Sequence, residues 1–468
     1  MAIITPFDHK VMEVFGDLAI DKQAVRELKI REARTVTTFV EEWLVARHYR
    51  PDRTTAEVYN DITDFMQRHL PAKKEREAIK YRLSQGEPVV LLDRFEVRVD
   101  LTRGLNLLSI PCLDEHQAQA PGAVLDASPG LLSGGQWGAG RLQVRQEGKR
   151  NLLELIEFRP MESGRVELAD VVVARQQFST AEWLEVILRT MGYEPSAYSD
   201  DERRQTVLRL LPLVQKNINL LELAPKGTGK SFIYSNLSRH VWLNSGGTLT
   251  RAQLFKNMRT REEGLLARFD VLVLDEGQSI NFQGADDIHA QFKGYLESGQ
   301  FSVGDSKVTS ECGLVVLANI EMDHDRRPLR SDYITHLPEM FHDDALLDRF
   351  HGIIPGWRIP RFTSEHAARG PGLKADVFGE YAHQIRLTSA HEFPFGEVPD
   401  LRGDTRDQKA VERVARALSR LFMLNPDHPD YHSYVLEPAL DLRRRVRSQL
   451  AAVNPQEFRP ELQVRVEG

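Results

Sequence analysis

The order of apolar and polar positions changes character three times along the chain. From about residue 18 to 85 apolar residues recur at helical spacing. Ile30, Val36, Phe39, Val40, Trp43 and Leu44 mark one helix, and Val58, Ile62, Phe65 and Met66 mark a second after Pro51. Residues 73–80 predict a charged helix with a solvated face. Near Gly86 the period drops to two, and 89–100 alternates apolar with polar residues as a half-buried strand does. Residues 105–110, 140–144, 152–158 and 169–174 read as further short strands, punctuated by Pro121-Gly122 and Gly134-Gly135. So many short strands in sequence predict a small, OB-like β-barrel.

The third change follows Ser179-Thr-Ala-Glu182, a capping-box pattern that opens a helix through Trp183, Val186, Ile187 and Leu188. Apolar runs at 219–224, 241–243, 270–275, 313–318 and 351–355 then alternate with helical segments. That alternation predicts a five-stranded parallel sheet covered by helices. Past about residue 375 the pattern is helical again, with Ala410, Val411, Val414, Leu418 and Leu421 on one stripe. A last helix carries Arg443-Arg-Arg-Val-Arg447, expected on a solvated face or at a subunit interface.

Composition narrows the class. A chain of 468 residues is long enough for about three domains. Its 61 basic and 68 acidic residues give a net charge of −7, which excludes a global basic field, so any polyanion site must be a local patch. Cys112 and Cys312 are the only cysteines, pointing to a reducing compartment without disulfides and to buried structural thiols. Neither a signal-peptide pattern nor an apolar run of membrane-spanning length is present, so a soluble cytoplasmic protein is expected.

The chemistry begins at Ala224-Pro225-Lys226-Gly227-Thr228-Gly229-Lys230-Ser231, a phosphate-binding loop between a predicted strand and a predicted helix. Backbone N–H groups of such a loop, with the helix N-terminus, attract an anion. Lys230 would reach the outer phosphates of ATP and Ser231 would ligate Mg²⁺. Ala224 stands where the usual pattern has glycine, which a negative φ would permit. Val271-Leu-Val-Leu-Asp275-Glu276 follows, a buried strand ending in two carboxylates. Asp275 would hold the metal shell and Glu276 would polarise an attacking water. Leu314-Val-Val-Leu-Ala-Asn319 ends in an amide able to orient that water, as sensor 1 does in AAA+ ATPases.

Beyond it, Asp343-Asp-Ala-Leu-Leu-Asp348-Arg349-Phe350 resembles the segment that supplies an arginine finger in minichromosome-maintenance-type and Lon-type AAA+ proteins. Arg349 would then act on a neighbouring subunit's γ-phosphate; the alternative is a pair with Asp348 or Asp344 of its own chain. Arg406 is the sensor-2 candidate, with Arg402 and Arg361 behind it. Residues 295–310 read as a helix end and a β-hairpin similar to the pre-sensor-1 hairpin of the same branch. Lys307 is expected at its tip, where it would contact DNA or remain a solvated lysine. Arg94, Arg98, Arg103, Arg141, Arg145, Lys149 and Arg150 in the barrel region would track a phosphate backbone, or serve as ordinary solvent-facing arginines. His428, Asp430 and His432 have loose metal-like spacing in a Pro-rich loop, where no metal is expected.

A closer resemblance runs through Gly192-Tyr193-Glu194-Pro195, Leu211-Pro-Leu-Val, the 219–231 run, Ser245-Gly-Gly-Thr, Asp270 to Glu276, Asp348 to Trp357 and Arg406-Asp-Gln-Lys-Ala-Val. Together they resemble the BrxL family, the Lon-like AAA+ proteins of bacterial BREX phage-exclusion systems. The resemblance implies an α/β AAA+ core with helical lid, a hexameric or stacked ring, DNA binding and a role against phage. Four segments are expected: a helical 1–85, an OB-like 86–175, an AAA+ ATPase core 176–370, and a helical lid and tail 371–468. Usual members continue into a protease-like domain, and no Ser–Lys pair for one occurs here, so peptidase activity is not expected. Two functions remain open: an ATP-driven DNA motor, and an ATP-gated DNA-binding scaffold that recruits partners without translocating. An unfoldase feeding a separate protease is less favoured.

Overall fold

The computed structural model describes residues 5–28, 36–49, 53–132, 134–147, 150–161, 166–259, 262–389 and 392–466. Ile30 and Lys149 lie outside them. Two compact units result. One comprises residues 17–165 with 374–377, and the other runs through Gly16, 166–373 and 378–468. Of the four segments read from the sequence, the first two fall mostly in one unit and the last two in the other, while the helix Pro6–Phe15 belongs to the unit that holds the sheet. No helix among the described residues is long and apolar enough to cross a membrane.

In the first unit, helix Thr55–His69 begins at a capping box formed by Thr54 and Glu57 and buries Val58, Ile62 and Met66, one stripe at i, i+4 and i+8. Five strands follow: β1 (Val89–Asp100), β2 (Leu105–Ile110), β3 (Glu115–Gln119), β4 (Gln136–Glu147) and β5 (Arg150–Pro160). They close into a barrel in the order β1-β2-β3-β5-β4, with β4 returning to β1. Leu91, Phe95, Leu108, Ile110, Leu142 and Leu155 fill it. Gly140 is required there, since a Cβ at that position would stand 2.4 Å from the Phe95 ring.

Two expectations are corrected. Strand β3, Glu-His-Gln-Ala-Gln, was not expected, because only Ala118 of it is buried and no apolar alternation marks it. The expected strand at 169–174 is instead part of a helix, Leu168–Arg175, burying Val171, Ala174 and Arg175. A run of β-branched valines gave the strand reading; burial at i, i+3 and i+4 with Val173 left 59% exposed decided for helix.

The second unit is built on a five-stranded, all-parallel sheet: β6 (Leu220–Ala224), β7 (Val241–Ser245), β8 (Val271–Asp275), β11 (Gly313–Asn319) and β12 (Gly352–Pro355). Between β8 and β11 a hairpin, β9 (Gln300–Val303) and β10 (Ser306–Thr309), follows the helix Ala285–Ser298. Sheet order is β12-β6-β11-β8-β7. Strand β11 therefore lies between β6 and β8, so three strands that are distant in sequence end side by side. Leu221, Leu272, Leu274, Leu314, Val316 and Ile353 form the core of this layer.

Helices Thr405–Phe422 and Glu437–Val453 complete this unit. The Arg443–Arg447 run is not a solvated face. Arg443 is 0% exposed and holds Asp348 Oδ1 at 2.5 Å and Asp407 Oδ1 at 2.6 Å, leaving Arg444 as the exposed member.

Candidate nucleotide-binding site

At the C-terminal edge of the sheet, Ala224 ends β6 fully buried with a negative φ, and the helix Lys230–Asn236 starts six residues later. Gly227 and Gly229 turn the loop with φ of +85° and +76°, values in the left-handed region that glycine adopts without strain. Lys230 reaches across to β11, where its Nζ donates to Asn319 Oδ1 at 2.7 Å. Asn319 stands beside Ala224 in the parallel register. Burial pushes the Lys230 ammonium below its usual range, and the carboxylates of Glu222, Asp275 and Glu276 offset part of that. Asp275 is 8% exposed at the end of β8, and its Oδ1 accepts the Glu276 N–H at 2.9 Å. Glu276 has a left-handed φ of +51° and an exposed side chain. A non-glycine residue in that region points to a constrained role.

The sheet thus brings together Pro225 to Ser231, Asp275, Glu276 and Asn319. It does not bring Arg349 or Arg406 to the same place. His351 N–H donates to the Asn219 carbonyl at 2.9 Å, and Asn219 N–H donates to His351 Nδ1 at 3.0 Å, so both sit at the N-terminal edge, just ahead of β12 and β6. Arg349 precedes them. The five residues of β6 set the two edges roughly 16 Å apart. There Arg349 Nε lies 3.1 Å from Glu297 Oε2 rather than pairing with Asp348 or Asp344. Arg406 donates to Asp348 Oδ2 at 2.7 Å and lies 3.4 Å from the same Glu297. Of the two other sensor-2 candidates, Arg361 flanks the loop: its Cγ is 4.0 Å from a Cβ built on Gly227, and Phe362 N–H donates to the Gly227 carbonyl at 2.8 Å.

Sequence reasoning missed three groups at this edge. Gln278 Oε1 accepts the Asn319 N–H at 3.1 Å. Arg209 and Glu222, both 0% exposed, pair beneath the loop, where Tyr193 also touches Arg209. Their sequence signal was a single charge inside each of two apolar runs, Leu208-Arg-Leu-Leu and Leu220-Leu-Glu-Leu. Buried charges occur in pairs.

Lys307 is not at the hairpin tip. The turn is Gly304-Asp305, and Lys307 lies exposed on β10 opposite Ser302. On the barrel, Arg98, Arg141 and Arg145 are exposed, Arg94 donates to the Gly134 carbonyl at 2.6 Å, and Arg103 lies 3.7 Å from Asp100. Arg150 opens β5.

Burial raises the Cys112 thiol above its usual range and holds that of Cys312 at about 12, so neither is poised as a nucleophile. Among the described residues the compact His/Asp group is His240, Asp270 and His383, not the 428–432 loop. Arg239 donates to His240 Nε2 at 3.2 Å and Arg386 lies 3.7 Å from Asp270, so two cations already serve this group.

Comparison with known proteins follows the same outline. Residues 153–463 match the model of the Lon-like protease BrxL-like ATPase domain. Residues 13–144 match the BREX system Lon protease-like protein BrxL N-terminal model. The chain is 28% identical over 458 residues to the Lon-like protease BrxL of Escherichia coli O9:H4 (strain HS), covering 95% of this chain and 64% of the relative. It is 29% identical over 443 residues to the Lon-like protease BrxL of Bacillus cereus (strain H3081.97), covering 92% and 65%. It therefore spans just under two thirds of the length of these relatives. An N-terminal barrel unit, a parallel-sheet unit with a candidate phosphate-binding loop, and matches to both domain models converge on one conclusion: the chain belongs to the BrxL family and carries its ATPase domain.

Proposed function

We propose that this protein is an AAA+ ATPase that assembles into rings on DNA and acts in BREX-type defence against phage. The observation that carries this reading is the separation of Arg349 from Lys230 on opposite edges of one sheet. Lys230, Ser231, Asp275, Glu276 and Asn319 bind and activate; a cation for the γ-phosphate is needed as well, and Arg349 can supply it only to a neighbouring copy. A closed ring satisfies every interface of that head-to-tail kind.

In this reading the loop N–H groups and Lys230 hold the triphosphate. The oxygen donors of Ser231 and Asp275 suit a hard divalent cation, which would supply positive charge to offset that of the phosphates. Glu276 accepts the proton of the attacking water and Asn319 orients it. Arg349 of the next subunit stabilises the charge that develops, worth about 10³–10⁵ in rate. Arg98, Arg141, Arg145 and Lys307 are exposed basic groups that a DNA backbone would meet in a protein of net negative charge.

ATP binding and turnover of three variants test the assignment. Lys230→Ala loses binding, Glu276→Gln binds ATP without hydrolysing it and accumulates assembled rings, and Arg349→Ala binds but does not turn over. Full turnover by Glu276→Gln would remove it from the chemistry.

A further inference from the structure

The side chains beneath the phosphate-binding loop form a group that the chemistry above leaves unused. The Glu222 carboxylate takes Nε of Arg209 at 3.1 Å to each oxygen and Nη2 at 2.6 Å. That leaves Nη1, which donates to the Thr228 carbonyl at 3.2 Å and to the Tyr193 hydroxyl at 3.1 Å. The same hydroxyl stands 2.7 Å from where a Cβ on Gly229 would be. Burial alone would lower the guanidinium's pKa, but Glu222 together with Tyr193 and Tyr234 outweighs it and the group stays charged.

The consequence lies in the peptide that joins Thr228 to Gly229. In a trans peptide the C=O and the N–H point in opposite directions. With the Thr228 carbonyl drawn inward by Arg209, the Gly229 N–H is turned outward, at the start of the helix Lys230–Asn236 where a phosphate would sit. An ion pair sealed in a core is weak evidence of stability, and apolar residues of similar volume replace such pairs at little cost. No apolar side chain can hold a carbonyl, however, and here the carbonyl belongs to the loop.

We propose that Arg209 is a positioning residue for the nucleotide: a buried cation, neutralised by Glu222 and braced by Tyr193, that aims the loop's backbone donors and so sets the affinity for the triphosphate. The inference rests on the reading of this loop as an ATP site. It gives Gly229 a second reason to be glycine, because a side chain there would displace the Tyr193 brace.

The test replaces both partners together, Arg209→Met with Glu222→Leu, so that no lone charge is buried. It reads the dissociation constant of a fluorescent non-hydrolysable ATP analogue, KM and kcat for ATP, and the melting midpoint without nucleotide. The expected result is a midpoint close to wild type, an affinity weaker by about tenfold or more, the weight of one misdirected charge-assisted donor, and a raised KM with kcat within a few-fold. Tyr193→Phe gives a smaller loss of affinity in the same direction. Wild-type affinity in the folded double variant overturns the inference. Should the double variant not fold, Tyr193→Phe decides alone, and unchanged affinity there overturns it. Lys230→Ala separates the two claims: if wild type binds no better than Lys230→Ala, the ATP site falls and this inference with it. If Lys230→Ala loses binding while the double variant keeps it, only the role of Arg209 falls.

Discussion

The Cβ of Ala224 fills the space that Gly356 leaves open: a Cβ built on Gly356 would stand 2.4 Å from it. The loop's departure from glycine at 224 is matched by a glycine just past β12, the strand beside it in the sheet. The same added Cβ would also come 2.9 Å from the Leu223 carbonyl and 3.0 Å from Glu222 Oε1. Gly356→Ala should therefore overpack the root of the loop and cost about 1–3 kcal/mol of stability. Adding Ala224→Gly should recover part of that loss, because only one of the three clashes is relieved. Denaturant midpoints of the two variants check this, and a neutral Gly356→Ala would contradict it.

The His351–Asn219 pair at the opposite edge predicts a pH dependence. Burial holds the imidazole well below its usual range, and Arg413 and Arg443 lower it further. Its Nδ1 accepts the Asn219 N–H, which requires the neutral ring. Below about pH 6.5 the unfolded chain binds a proton here that the folded chain refuses, so stability falls as the pH falls. Replacing His351 by Asn keeps an acceptor without a titrating group. Between about pH 7 and pH 5 the unfolding free energy of His351→Asn should decline less steeply than that of wild type. Parallel slopes would remove His351 from the acid response.

Much of this was legible in the sequence. Apolar runs placed all five parallel strands to within about two residues; β6, β8, β11 and β12 are buried on both faces and so show no polar alternation, whereas β7 is buried only at Val241. Loop, carboxylate pair and Asn319 were readable because each ends such a strand. Strand β3 was not, since His116 and Gln117 are exposed, Glu115 and Gln119 are only half-buried, and Ala118 alone is buried. The far placement of Arg406 was not readable either, because its partner Asp348 lies 58 positions away and only the packed helices bring them together. Arg443 was misjudged because a run of arginines looks uniform in sequence, whereas a helix turns one of them fully inward.

Lys307 and the barrel arginines carry a prediction about DNA. Lys307→Ala should weaken binding across sequences and reduce the slope of log affinity against log salt by about 1. A triple Arg98, Arg141 and Arg145→Ala variant should reduce it further. Unchanged slopes would return these residues to ordinary solvated charges. On a duplex with a bound obstacle, ATP-dependent displacement by wild type but not by Glu276→Gln supports a motor. Tight binding by both without displacement supports a scaffold.

The claim that each ATP site is completed by a second copy is tested most directly by mixing two inactive variants. Lys230→Ala lacks the lysine proposed to bind phosphate and Arg349→Ala lacks the proposed finger, so neither alone should hydrolyse ATP. In a mixed ring, a Lys230→Ala subunit can offer its intact Arg349 to the intact loop of an Arg349→Ala neighbour. Steady-state ATPase activity should therefore reappear on mixing, peak near equal proportions, and vanish when either partner is in large excess. Inactivity at every ratio, in mixtures shown to co-assemble, would contradict the composite site.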